Sequence, residues 1–412
     1  MKGKSSYYWV IAIMLLCATG LSFLDRQVLS ISIIRIKEDL HITDVEYGFI
    51  NSGFLISYAI MFTLGGILMD RYGSRIGLGI SVAFWSVATA LHGLAHSVYH
   101  FAFFRFLLGV GEGGCFPGAV KAVMEWVPPK KRAFANGIAI GGSALGAVIA
   151  MPLCAYFLGF TSWRFLFLAA GILGMIWFAG WQLLTRKKRA LKYAHEMHKA
   201  NKTSFSWRAL FQAMKAKEAR VFIIMRFLLD PIFYFYMFWI PKYLSDARGM
   251  PLDTIGYVTW IPFLALGIAN IAGGWLSDMT LARTGSVNLA RKLVMGIGAT
   301  LTVPVAFING IDAIAVIIVV MSLAFFAHGL WITNYITSIS DVFGKATTST
   351  IVGLSGTAGA ISSLIINPLT GYIVSQFSYT PLWIYAGIMY PCAFIILMVF
   401  LPKIKLRAGL TS

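Results

Sequence analysis

Twelve stretches of mostly apolar residues recur along the 412-residue chain, each near the roughly 20 residues that a helix needs to cross the hydrocarbon of a bilayer. They fall near residues 8–34, 47–69, 76–95, 101–124, 134–158, 163–184, 221–244, 254–277, 291–309, 311–336, 347–375 and 379–401. Hydrophobic residues make up 58% of the chain and charged residues 12%, more apolar surface than a water-soluble domain of this length can bury in one core. The fold class implied is an all-α polytopic membrane protein with twelve transmembrane helices. Pro117, Pro152, Pro262 and Pro368 lie inside the runs, which a bundle tolerates because neighbouring helices satisfy the freed backbone groups.

The 34 Lys and Arg outnumber the 16 Asp and Glu, but they lie in short segments between the apolar runs and form no stripe with interleaved aromatics. They read as topology signals and not as a nucleic-acid surface. With a cytoplasmic N-terminus, the inside segments receive Arg71 and Arg75, Lys130 to Arg132, Arg283, Arg291 and Lys292, Lys345, and Lys403 to Arg407, while the outside loops are nearly bare. The polar stretch 185–220 holds eleven Lys or Arg and reads as a basic cytoplasmic linker. It separates an N-terminal six-helix bundle, 1–184, from a C-terminal one, 221–412. Both termini are expected inside, in a bacterial inner membrane. Lys2 and Lys4 precede an apolar run of about 17 residues with no small-residue cleavage site, so that run is expected to be a retained first helix. Cys17, Cys115, Cys154 and Cys392 all fall in apolar runs without CxxC spacing, which suggests neither a disulfide framework nor a metal site.

Gly66-Ile67-Leu68-Met69-Asp70 follows the second run, and Gly274-Trp275-Leu276-Ser277-Asp278 follows the eighth, 208 residues later. A Gly-x-Leu-x-Asp pattern at half the chain length is what parallel duplication leaves. The first copy continues Arg71-Tyr72-Gly73-Ser74-Arg75. Its glycines allow close approach and a tight turn, and Asp70 is placed to meet a helix N-terminus or to pair with Arg71 or Arg75. Asp70, Arg71, Arg75 and Asp278 are therefore gating candidates. The alternative is an ordinary positive-inside turn. The string resembles the signature of the major facilitator superfamily, whose fold is two pseudo-symmetric six-helix bundles.

Charges inside the spans carry the chemistry. Arg105 and Glu112 of the fourth span are two turns apart and lie on nearly one face. In the first span Asp25 and Arg26 point about 100° apart, so both avoid lipid only beside a polar cavity. Asp25 and Glu112 are carboxylates whose proton affinity responds in opposite senses to desolvation and to a neighbouring Arg, the sensitivity that proton coupling needs. A purely structural buried ion pair is the alternative for Arg105 and Glu112, although stability alone is a poor reason to keep one.

Leu24-Asp25-Arg26, Tyr58, the block from Arg105 to Pro117, Trp126-Val127-Pro128 and Phe238-Trp239-Ile240-Pro241-Lys242-Tyr243 together resemble the anion:cation symporter family. Within it the chain is most similar to hexuronate and galactonate-type proton symporters, along essentially its whole length. The resemblance implies proton-coupled uptake of a sugar acid by alternating access, through a central cavity between residues 1–184 and 221–401. Asp25 and Glu112 would form the proton-linked pair, with Arg26, Arg105 and Tyr58 around the substrate. Three positions depart from the family: Phe23 stands where Tyr is usual, Phe62 where Gln often lies, and Ile140-Gly141-Gly142-Ser143-Ala144 where Asn with Ser or Gln is expected. Each removes a group that would meet a sugar hydroxyl. The small residues of the fifth span also suit close helix packing.

In the second half, Asp230 and Tyr234 are one turn apart, and His328, Trp331, Asn334 and Tyr335 share a face. Tyr234, Trp331 and Asn334 suit contacts with a sugar ring and its hydroxyls; belt or core packing is the alternative. His328 reads more readily as a packed, hydrogen-bonded histidine, and Asn367 as a partner for carbonyls freed by Pro368. No nucleotide loop, metal cluster or catalytic triad is recognisable. The expectation is a carrier of a small organic anion, with the proton as coupling ion, no other cofactor and membrane lipid as surroundings, acting as a monomer. Its rivals are a carrier of a dicarboxylate or aromatic acid, and a membrane sensor that binds without flux.

Overall fold

A computed structural model describes residues 3–128, 132–186 and 215–404. The described chain is helical, in the order α1 (Gly3–Leu40), α2 (Asp44–His92), α3 (Val98–Glu112), α4 (Cys115–Trp126), α5 (Arg132–Leu158), α6 (Trp163–Thr185), α7 (Lys217–Asp246), α8 (Leu252–Thr284), α9 (Val287–Thr302), a 3-10 segment (Val303–Gly310), α10 (Ile314–Gln376) and α11 (Thr380–Phe400). Residues 187–214, most of the expected basic linker, lie outside the described residues.

Eleven stretches among the described residues are long and apolar enough to cross a membrane. The difference from the expected twelve is local. The fourth apolar run is two shorter helices, α3 and α4, meeting at Gly113 and Gly114. A methyl group on Gly113 would press on Met61, and one on Gly114 on Ser81, so the break sits where the backbone is closely packed against α2. Pro117 lies in the first turn of α4, where its missing N–H leaves no helical bond unmade.

Helix α2 starts at a capping box. Thr43 Oγ1 accepts from Glu46 N at 3.3 Å, and the Glu46 carboxylate accepts from Thr43 N at 2.8 Å. Gly73, with φ 75° and ψ 160°, divides α2 into the second and third spans. That backbone conformation is costly for any residue with a Cβ.

Two compact units form. The first is Met1–Phe205 with Leu244–Tyr257; the second is Ser206–Tyr243 with Val258–Ser412. In the first, α3 packs along α2 and α1 along α5. Gly142 and Gly146 of α5 bring their backbones against Leu16 and Gly20 of α1, the close approach that small residues four apart allow. In the second, Ala269 of α8, Val294 of α9 and Leu330 of α10 pack into one cluster. Large apolar side chains such as Ile176, Ile271, Trp275 and Val319 are exposed, as lipid-facing residues are.

Candidate functional site

Charged side chains converge inside the first unit. Asp25, Arg26, Arg105 and Glu112 are all at most 2% exposed, far from the surface position such residues normally take. Arg26 Nε donates to Glu112 Oε2 at 2.8 Å, and Ser22 Oγ donates to the same oxygen at 2.9 Å. This ties α1 to the C-terminal end of α3. The Arg26 guanidinium also lies over three rings, Phe23, Tyr58 and Phe54, with centroids at 4.7, 4.8 and 5.0 Å, which stabilise a desolvated cation through their π faces.

Arg105 differs. Its Nε, Nη1 and Nη2 are buried and make no hydrogen bond among the described residues, and its guanidinium lies 5.9 Å from the centroid of Phe54. The two arginines thus share one aromatic neighbour, and only one has a carboxylate. Asp25 Oδ1 likewise has no hydrogen-bond partner among the described residues, with Arg105, Arg26, Glu112 and Thr89 as its electrostatic neighbours. A buried guanidinium without an acceptor is costly, because burial removes its hydration and nothing replaces it.

Asp25 and Arg26 of α1, Tyr58 of α2, and Arg105 and Glu112 of α3 thus lie together, and only the Arg105–Glu112 alignment follows from helical spacing. Phe23 packs edge-on against Phe116, with centroids 6.2 Å apart. Tyr58 stacks on Phe54 and meets Phe62, at 5.1 and 5.7 Å, so the wall around Arg26 is aromatic. Ser143 is half-buried and donates to the Ile140 carbonyl at 2.8 Å. Sequence reasoning missed Phe54, Gln27 and Asn51. The amides of Gln27 and Asn51 are fully buried with no hydrogen-bond partner among the described residues. Asn51 lies two turns before Tyr58 and so shares its face, a signal available from spacing alone.

In the second unit the expected residues are more committed to packing. Asn334 Nδ2 donates to the carbonyls of Gly273 and Leu330 at 3.1 and 3.0 Å, a tie between α8 and α10. Trp331 is 2% exposed and meets Tyr390 edge-on at 5.7 Å. Tyr234 stacks on Phe238 at 5.7 Å. His328 bonds to the Tyr390 hydroxyl and stacks on Phe233 at 4.3 Å, a packed and hydrogen-bonded histidine. Asn367 Oδ1 accepts from Trp239 Nε1 at 3.3 Å, and its Nδ2 donates to the Ser363 carbonyl at 2.8 Å.

At the repeated loop motifs, the Asp70 side chain lies outside the described residues. Arg71 is exposed over Tyr72, and the carbonyl of Arg75 accepts from Trp181 Nε1 at 3.0 Å. The firmer contacts come from neighbours that the motif reading did not single out as gates. Glu125 accepts from Ser74 N and Oγ at 2.9 and 2.6 Å, and Trp126 Nε1 donates to the same Oγ at 3.0 Å. In the second copy Arg291 reaches Ser277 Oγ at 2.6 Å and Asp341 at 2.9 Å, whereas the largely exposed Asp278 is 3.7 Å away.

Residues 15–367 match the family model of the Major Facilitator Superfamily. The chain belongs to that superfamily. Among its relatives, the probable sulfoacetate transporter SauU of Cupriavidus necator is 30% identical over 379 residues, covering 86% of this chain and 85% of the relative. The hexuronate transporter of Escherichia coli K12 is 28% identical over 399 residues, covering 93% and 91%. The solved structure of a bacterial homologue of the human lysosomal transporter Spinster superposes with a TM-score of 0.78 at 16% identity, covering 98% of this chain and 99% of that one. For the xylose transporter XylE of E. coli the TM-score is 0.70 at 17% identity, covering 98% of each chain. These two share the fold. The protein is thus a multi-pass membrane transporter of the major facilitator superfamily, and its relatives include sugar-acid transporters.

Proposed function

We propose that this transporter takes up a small organic anion together with protons by alternating access, and that the anion is a sugar acid such as a hexuronate or aldonate. One observation carries the reading: Arg105 is a buried guanidinium with no acceptor among the described residues, beside the Arg26–Glu112 pair and Asp25. A planar guanidinium with all its donors free suits a carboxylate, which it can grip through two parallel hydrogen bonds. In this reading the substrate carboxylate meets Arg105, with Arg26 as the second cation. Tyr58 presents its ring and hydroxyl beside them, and Tyr234, Trp331 and Asn334 are the substrate contacts proposed for the second unit.

Glu112 and Asp25 are the proton-coupling residues. Protonation of Glu112 would weaken its hold on Arg26 and leave a second guanidinium for the anion, so proton and substrate favour one another. The latches near Asp70, Arg71, Arg75 and Asp278 would act as gates. The protein would sit in a bacterial inner membrane with both termini cytoplasmic, as a monomer, with bundles 1–184 and 221–412 joined by 185–220.

The test is uptake into proteoliposomes of purified protein, comparing D-glucuronate, D-galactonate and sulfoacetate with and without an imposed pH gradient. Accumulation that needs the gradient supports proton symport. Saturable binding without accumulation would instead indicate a sensor. A second reading, a non-sugar organic anion, is favoured by the aromatic wall of Phe23, Phe54 and Tyr58 around Arg26, backed by Phe62 against Tyr58, and by the sulfoacetate relative. Preference for sulfoacetate over both sugar acids would select it.

A further inference from the structure

The second unit holds an ion pair that the reading above does not use. Arg226 and Asp230 lie one turn apart on α7, within the span Lys217–Asp246. Arg226 Nε donates to both carboxylate oxygens of Asp230 at 2.9 Å each. Gly359 of α10 packs so closely on Asp230 that a methyl group there would collide with its carboxylate. Asp230 is therefore held from two sides.

The geometry leaves half of the arginine unused. Asp230 takes only Nε, and the terminal Nη1 and Nη2 make no hydrogen bond among the described residues. The Arg226 side chain is 23% exposed and that of Asp230 11%, so the pair is open along one side. Nearby polar groups are spent elsewhere: the Tyr335 hydroxyl donates to the Phe222 carbonyl at 2.8 Å, and His328 pairs with Tyr390. An ion pair within one helix adds little stability even at a surface, and within a membrane span its desolvation is a net cost. Structural need does not account for it.

We propose that Arg226 is a carboxylate-binding residue of the second unit, its free Nη1–Nη2 edge receiving a carboxylate of an organic acid while Asp230 acts as the positioning residue that fixes the guanidinium plane. The edge offers two parallel donors, which match the two oxygens of a carboxylate and not a single hydroxyl. The inference rests on the reading of the protein as an organic-anion transporter, and it adds a recognition residue in the half where that reading has only aromatic ones.

The experiment measures binding of D-glucuronate and D-glucarate, a sugar monoacid and diacid, to purified full-length protein by titration calorimetry. Arg226→Lys keeps the positive charge beside Asp230 but loses the planar edge, and it is expected to weaken binding at least tenfold. The double variant Arg226→Gln with Asp230→Asn removes both charges together, so that no charge is left buried alone. It is expected to unfold at the parent's temperature and to bind at least tenfold more weakly. If either variant is folded and binds both acids as tightly as the parent, the pair is structural and the proposal falls. Should the double variant not be recovered folded, Arg226→Lys decides, because its charge still answers Asp230. If the parent itself binds neither acid, the organic-anion reading falls and takes this one with it; parent binding with unchanged variants sinks this one alone.

Discussion

The two units each hold an arginine–carboxylate pair within their spans, fully buried in the first and part-exposed in the second, and they build it differently. In the first unit Arg26 is on α1 and Glu112 on α3, so the 2.8 Å bond joins two helices and its strength depends on their separation. In the second unit Arg226 and Asp230 are on one helix, and the pair moves with α7 as a body. A pair between helices can couple its own charge state to helix packing; a pair within a helix can orient a group but cannot report a change of spacing. The first arrangement suits a proton-linked switch and the second a fixed recognition element. The unpaired Arg105 belongs with the first, because a cation without a carboxylate of its own is available to whatever anion arrives.

The sharpest way to break this comparison is Glu112→Gln. The amide carbonyl still accepts from Arg26 Nε and Ser22 Oγ but cannot take up or release a proton. Counterflow exchange should persist while accumulation driven by a pH gradient disappears. Gradient-driven accumulation at the parent's level would remove Glu112 from coupling and make the first pair as static as the second.

Next in size is a split between the two first-unit arginines, read by thermal unfolding of the purified protein. Arg26→Gln strands Glu112 without its cation, and breaking a buried pair from one side costs about 3–5 kcal/mol. Arg105→Gln removes a buried charge that has no acceptor, so stability should hold or rise while substrate binding is lost. Equal destabilisation by both variants would mean that Arg105 has a structural partner and is no free anion site.

Much of this was legible in sequence because charge stands out against apolar runs. Asp25, Arg26, Arg105 and Glu112 are conspicuous in their spans, and helical spacing alone put Arg105 and Glu112 on one face. What escaped did so for physical reasons. The break at Gly113–Gly114 is hidden because glycine is not polar, so an average over a run of 20 residues passes straight through it. Arg226 lies near the N-terminal start of its span, where a basic residue reads as a topology signal. Gln27 and Asn51 carry no charge and look like incidental polar residues until their burial is seen. Periodicity placed His328, Trp331, Asn334 and Tyr335 on a common stripe, yet it does not say whether a stripe meets a neighbouring helix or a ligand; Asn334 spends its amide on Gly273 and Leu330. The Asp70 latch read from the repeat is untouched by the structure, which shows Glu125 and Arg291 making the firm contacts beside it.

A smaller effect sharpens the role of Arg105. Arg105→Lys keeps the charge but replaces a planar fork with a point donor, so the substrate anion loses one of two parallel hydrogen bonds. Binding should weaken about tenfold, or about 1.4 kcal/mol, measured by calorimetry with the best substrate of the uptake series. Unchanged affinity would move bidentate recognition from Arg105 to Arg26.

The smallest expected effect concerns hydroxyl selectivity, and it tests whether the aromatic wall of the first unit sets the substrate. Phe23, Phe54 and Tyr58 surround Arg26 with ring faces and Phe62 packs behind Tyr58, and Ser143 gives its hydroxyl to its own helix. A site built to hydrogen-bond a hydroxyl penalises an analogue lacking it, because its own buried groups are left unpaired; an apolar wall carries no such penalty. Deoxy and shorter acids should therefore compete for uptake within about tenfold of the parent sugar acid, against the far larger ratios a hydroxyl-reading site imposes. The measurement is inhibition of labelled uptake at one pH by a series running from hexuronate through deoxy analogues to simple hydroxy acids. The buried amides of Gln27 and Asn51 are the groups that would overturn it. If only fully hydroxylated six-carbon acids compete, those amides are reading hydroxyls, and Phe62→Gln should then change selectivity little, because the wall was never the filter.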